Sequence, residues 1–161
     1  YLGVGFKEML ENTGVDIASF GANKNGAMFG EMIIILNPLF DKHFILNQKQ
    51  SMQLFSKTRF LSSQFLVMLE QNIWYKNAKH ANDMALYLEQ ELKKLGISIA
   101  YPVQSNAVFA DFSEEQIKYL KREYALSSYD FNNHYCRLMT SWSTTKQEID
   151  DFISYLVKIK L

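Results

Sequence analysis

One cysteine in 161 residues, Cys136, leaves no partner for an internal disulfide, and a lone thiol in an apolar stretch reads as a free core residue. The three histidines, His43, His80 and His134, are too widely separated for a zinc-ligand spacing, so no metal site is expected. His80 falls near an apolar helical stripe and reads as a packed or surface histidine rather than a base. Neither sign of charge dominates. Seventeen basic and seventeen acidic residues cancel, which argues against a nucleic-acid or acidic-membrane partner. No apolar run is longer than residues 32–36, far short of the ~20 residues that cross a bilayer, and no charged-then-apolar leader precedes it. A cytoplasmic chain without a membrane span is therefore expected. Two nucleotide signatures are also missing. Gly21 and Gly26 match the glycines of a phosphate loop, but Ala27-Met28 stands where Lys-Ser/Thr is required, and Gly3-x-Gly5 lacks the third glycine of a dinucleotide fingerprint.

What is present is ordinary globular composition, 48% apolar and 14% aromatic, enough for one domain with a core or a small domain plus part of another. The chain opens on Tyr1 rather than Met, and its strongest motif follows within some fifteen residues, so it reads as a fragment or a processed chain. That motif occupies residues 16–30, Asp-Ile-Ala-Ser-Phe-Gly-Ala-Asn-Lys-Asn-Gly-Ala-Met-Phe-Gly. A short strand runs into Asn25-Gly26, a pair suited to a type I′ turn, and then into the aliphatic run that begins at Glu31. Lys24 is thus expected at the lip of an antiparallel strand pair. The aliphatic run itself has the pattern of a strand buried on both faces.

The rest of the chain alternates elements in the manner of an α/β protein. A short helix is expected over residues 6–12, a long loop over 37–56, and a helix buried all round over 58–71. Trp74, Ala78, Ala81, Ala85, Leu88, Leu92 and Leu95 recur at spacings of four and three, one apolar stripe that Gly96 should terminate. Strands are expected at 97–103, 107–112 and 136–142. Ser113-Glu-Glu-Gln and Thr145-Lys-Gln-Glu are capping boxes that open two further helices.

The segment around Lys24 resembles the cofactor-lysine segment of the threonine aldolase and β-eliminating lyase family, pyridoxal-phosphate enzymes of the aspartate-aminotransferase fold (fold type I). Four more stretches continue the resemblance in order: Lys57-Thr-Arg-Phe-Leu-Ser-Ser-Gln64, Trp74-Tyr-Lys-Asn-Ala-Lys-His-Ala-Asn82, Ser105-Asn-Ala-Val-Phe109 and Arg137-Leu-Met-Thr-Ser-Trp142. The resemblance implies the C-terminal portion of such an enzyme. Residues 1–45 would close the large cofactor-binding domain and its sheet, 46–96 would be loop and linking helices, and 97–161 a small α/β domain with antiparallel strands. It implies pyridoxal phosphate as cofactor, held by Lys24 as an imine, with Ser19 flanking the lysine as a further cofactor-binding residue, Arg59 reaching toward the cofactor phosphate or the site, across a dimer interface, and Arg137 gripping the substrate carboxylate. Asn23 departs from the hydroxyl residue that often precedes the lysine in relatives. The implied activity is retro-aldol cleavage of a β-hydroxy amino acid, with threonine giving glycine and acetaldehyde, by a homodimer or homotetramer. Other cofactor ligands of the family fall upstream of the lysine, so these residues alone are expected to be poorly active. Two alternatives stay open at this point: a β-eliminating or aminotransferase-like relative, and a non-catalytic α/β association module.

Overall fold

The computed structural model describes residues 2–128 and 135–159; His134 lies outside them. The chain divides into two compact units, Leu2–Lys76 and Asn77–Leu161.

The first unit is built on an antiparallel strand pair, β1 (Ile17–Gly21) and β2 (Glu31–Ile35), in a register that sets Ile17 opposite Ile35 and Gly21 opposite Glu31. Side chains alternate across a strand pair, so Phe20 and Met32 share one face and Ile17, Ser19 and Ile33 the other. Phe20 and Met32 pack with Ala22, Phe65, Met68 and Trp74 in a small core, and the ring of Phe6 from α1 (Phe6–Leu10) stacks 4.5 Å from Trp74. The opposite face is only partly covered: Ile33 is 42% exposed and lines a cavity with Phe44 and Asn47. The expectation of a strand buried on both faces is therefore corrected. The aliphatic run pairs with one neighbour among the described residues, and none of Glu31–Ile35 is fully buried.

The expected long loop also contains structure. Asn37 accepts the Leu39 amide at 3.0 Å and starts a single 3₁₀ turn at Pro38–Phe40, after which α2 runs over Phe44–Gln50. None of the α2 residues is buried, which is why no apolar period marked it. Helix α3 (Arg59–Glu70) is in its expected place but is not buried all round: Phe65 and Met68 turn inward while Phe60 is 60% exposed.

Helix α4 (Ile73–Lys94) carries the expected stripe, with Ala81, Ala85, Leu88 and Leu92 buried. It stops where Gly96 predicts, the Ile97 amide donating back to the Leu92 carbonyl at 3.1 Å. The second unit then builds an antiparallel sheet in the order β3-β5-β4, from β3 (Ala107–Asp111), β4 (Ser127–Ser128) and β5 (Tyr135–Met139). Val108, Ala110, Cys136 and Leu138 line its buried face against α4, α5 (Glu114–Glu123) and α6 (Lys146–Lys158). Both capping boxes form, at Ser113/Gln116 and Thr145/Glu148. The strand expected at 97–103 reduces to one isolated bridge, Ile99 to Ala110. Pro102 has no N–H to extend a ladder there.

Cys136 is fully buried, and burial pushes its thiol above the ordinary range. A thiol reagent such as dithionitrobenzoate should leave the native protein unmodified and titrate one thiol only in denaturant. Fast labelling of the native protein would place Cys136 outside the core.

Candidate active site

The loop that carries Lys24 is fixed at its start, its middle and its end. Ala22, fully buried, begins it, and the Ala22 carbonyl accepts the amides of Asn25 at 3.0 Å and Ala27 at 3.1 Å. Residues Asn23–Asn25 thereby form one 3₁₀ turn, closed by Gly26 at φ 102°. A left-handed φ of this kind costs an L side chain about 1–2 kcal/mol, which explains glycine here. The expected type I′ turn does not form, because Asn25 is not among the described residues with positive φ and the connection is too long for a two-residue hairpin. Lys24 still stands between two antiparallel strands, on the exposed side of the turn. It makes no ion pair among the described residues.

Two side-chain amides tie the loop to helices. The Asn25 Nδ2 donates to the Trp74 carbonyl of α4 at 2.9 Å, and the Met28 amide donates to Oε1 of Gln64 on α3, also at 2.9 Å. The loop leaves through Gly30 at φ 123°, where a Cβ would meet the Phe65 ring at 3.2 Å. Replacing Gly30 with alanine should therefore destabilise the Leu2–Lys76 unit by roughly 1–3 kcal/mol, from backbone strain plus displacement of Phe65. A denaturation midpoint within error of the parent would contradict this.

The other sequence candidates have distinct settings. Ser19 donates its hydroxyl to the Glu31 carboxylate at 3.1 Å. Arg59 is the first residue of α3, exposed, its guanidinium 5.4 Å from the Phe60 ring centroid, with no carboxylate partner among the described residues. Arg137 belongs to the second unit. It sits in β5 opposite Phe109 and Ser127, exposed, and lines a cavity of about 320 Å³ with Leu126, Thr144 and Glu148 among its neighbours. Lys24, Ser19 and Arg59 thus share one unit and Arg137 lies in the other.

His80 has a structural task. A backbone carbonyl can only accept, so its Nε2 carries a proton and donates to the Thr144 carbonyl at 2.7 Å. Nearby, Thr140 is buried and donates its hydroxyl to the Ala81 carbonyl at 2.7 Å. Between α4 and α6, the Tyr87 hydroxyl donates to Asp150 at 2.5 Å, and that bond, with desolvation and the Asp150 charge, raises the phenol from 10.0 to about 12. A raised acid pKa means the native state holds the proton more tightly than the unfolded one. The resulting stability is complete below pH 10 and is lost as pH rises from 10 through about 12. Asp150→Asn should bring one tyrosine's ultraviolet ionisation back toward pH 10 and flatten this alkaline loss. An unchanged titration would refute the pairing.

Sequence reasoning missed Gln64, Asn25 and Glu31 as partners of the site. Gln64 and Met28 are 36 positions apart, and nothing in the spacing of amide residues links them before the chain folds.

The mixed α/β architecture, with antiparallel strands in both units, is that of the C-terminal part of a fold-type-I structure. The fold is similar to that of Leishmania major threonine aldolase, with a TM-score of 0.80 and 31% identity, covering 90% of this chain and 43% of that one. In sequence the chain is 33% identical over 151 residues to a low-specificity L-threonine aldolase from a Pseudomonas species, and 34% identical over 151 residues to the enzyme of the same name from Pseudomonas aeruginosa. Each alignment covers 92% of this chain and 43% of the relative, so the chain spans less than half the length of the curated relatives it matches. No protein-family model matches it. Over most of its length the chain is similar to threonine aldolases in both sequence and fold, and the resemblance carried by five separate sequence segments agrees with that likeness. Among the described residues no helix is long and apolar enough to cross a membrane, and no cluster of potential metal ligands occurs.

Proposed function

We propose that the chain is part of a pyridoxal-phosphate-dependent lyase that cleaves β-hydroxy amino acids by retro-aldol reaction, with threonine yielding glycine and acetaldehyde. The observation that carries this reading is Lys24, an exposed amine without an ion-pair partner among the described residues, held on a tightly bonded loop in a chain similar to threonine aldolases. The donor set fits the cofactor at both ends. A primary amine suits the cofactor aldehyde, and a guanidinium without a carboxylate partner suits its phosphate.

Lys24 would be the covalent anchor. Arg59 would hold the phosphate, aided by the positive end of the α3 dipole. Ser19, the other cofactor-binding candidate, is poorly suited to the phosphate, because its hydroxyl is engaged by Glu31 and an anion arriving there would face that carboxylate. When bound, pyridoxal phosphate supplies an electron sink that makes a bond to Cα labile. The protein's part is to choose the bond. A fixed substrate carboxylate sets which bond stands where it can break, and Arg137 can grip a carboxylate bidentately where a lysine would offer only a point charge. Breaking the Cα–Cβ bond of threonine sends the β-carbon and its hydroxyl oxygen away as acetaldehyde and leaves glycine. The exposed apolar groups of the Leu2–Lys76 unit, Leu39, Ile45 and Met52 among them, fit assembly into the homodimer or homotetramer expected from the resemblance.

Product analysis tests the reading. The full-length protein with pyridoxal phosphate should convert threonine to glycine and acetaldehyde in equal amounts. Release of ammonia and 2-oxobutanoate instead would indicate an eliminating lyase and overturn it. Arg137→Lys should raise the KM for threonine about tenfold or more, since bidentate geometry is lost while the charge is kept.

A further inference from the structure

Gln64 is fixed at both ends of its side-chain amide. Its Nε2 donates to the Phe60 carbonyl one turn back in α3 at 3.1 Å, and its Oε1 accepts the Met28 amide at 2.9 Å. The first bond holds the amide against its own helix in the orientation that aims the oxygen at the loop. The side chain is half-buried, and the next residue, Phe65, is buried against the loop exit at Gly30. α3 therefore meets the Lys24 loop twice in succession, by a hydrogen bond and by a ring. The same helix begins with Arg59. An α-helix is a stiff spacer of about 1.5 Å per residue, so its first residue and the loop seated on its second turn share one rigid frame.

Resting on the function proposed above, we propose that Gln64 is a positioning residue for the Lys24 loop, seating it on the helix that carries Arg59. If Lys24 held a cofactor at one end and Arg59 its phosphate at the other, the two residues would need a constant separation, and preorganised groups bind without the entropy cost of ordering a loop. Gln64 does this through Met28, touching neither cofactor nor substrate.

The test compares Gln64→Leu and Gln64→Glu in the full-length protein. Leucine keeps the apolar stem and loses the acceptor; glutamate keeps an acceptor for the Met28 amide. Two quantities are read: hydrogen exchange at the Met28 amide without cofactor, and the affinity for pyridoxal phosphate from its visible band. Gln64→Leu should speed exchange and weaken cofactor binding, each about tenfold, the scale of one lost hydrogen bond, while Gln64→Glu stays within roughly threefold of the parent on exchange. Unchanged exchange and affinity in Gln64→Leu would overturn the proposal. So would equal damage in both variants, since the stem or the volume would then be responsible. If the unsubstituted protein forms no adduct on Lys24 while Met28 exchange still depends on Gln64, the functional reading falls, and with it the positioning role, leaving a purely structural clamp.

Discussion

On the proposed function, Lys24→Ala in the full-length protein should reduce threonine cleavage by about 10³-fold or more, the scale expected when a residue that anchors the reacting group is removed. The loss should fall on kcat and not on folding. Lys24 is exposed, lies outside the core clusters and makes no ion pair among the described residues, so alanine removes nothing that holds the loop. The loop is held by the Ala22 carbonyl, by Asn25 to Trp74 and by Met28 to Gln64, all of which survive the substitution. Circular dichroism should match the parent, and stability should stay within about 0.5 kcal/mol of it, as for surface substitutions generally. Added primary amines should restore a measurable fraction of turnover, because the missing group is a nucleophilic amine. A variant that keeps parental activity would show that Lys24 is an ordinary surface lysine.

Phe112→Ala should destabilise the Asn77–Leu161 unit by about 3–5 kcal/mol, more than the strain expected from Gly30→Ala in the other unit. Phe112 is 1% exposed and is the largest fully buried side chain. It stands directly before Ser113, the cap of α5, and shares its cluster with Ile117, the helix residue that a hydrophobic staple at this position engages. Alanine would open a cavity in the core that joins the sheet to α4, α5 and α6. The melting midpoint of this unit should fall by more than ~10 °C. Phe60→Ala offers the contrast: the same chemical change, made at a ring 60% exposed, should cost no more than about 1 kcal/mol. Similar costs at the two positions would mean that burial does not govern stability here.

The elements legible in the sequence were those whose determinants are local. The two capping boxes, the α4 stripe and the stop at Gly96 each follow from residues within a turn or two of one another, and the structure has all of them. The readings that needed correction depended on distant partners. Residues 31–35 have the composition of a strand covered twice, yet none of them is fully buried in the pair β1–β2. The turn before them looked like a short hairpin, but the Ala22 carbonyl captures two amides and winds the chain into a helical turn instead. Lys24 and Arg137 stood out because whole segments around them resemble a known family. Gln64 lay inside one such segment without a role, since a hydrogen bond across 36 positions leaves no periodic trace.

Borohydride reduction of the full-length protein in the presence of pyridoxal phosphate, followed by peptide mapping, tests the central claim most directly. A yellow protein whose reduced adduct maps to Lys24 is the expected result. A colourless protein, or an adduct scattered over surface lysines such as Lys79 and Lys93, would contradict it and leave a likeness to threonine aldolases without their chemistry.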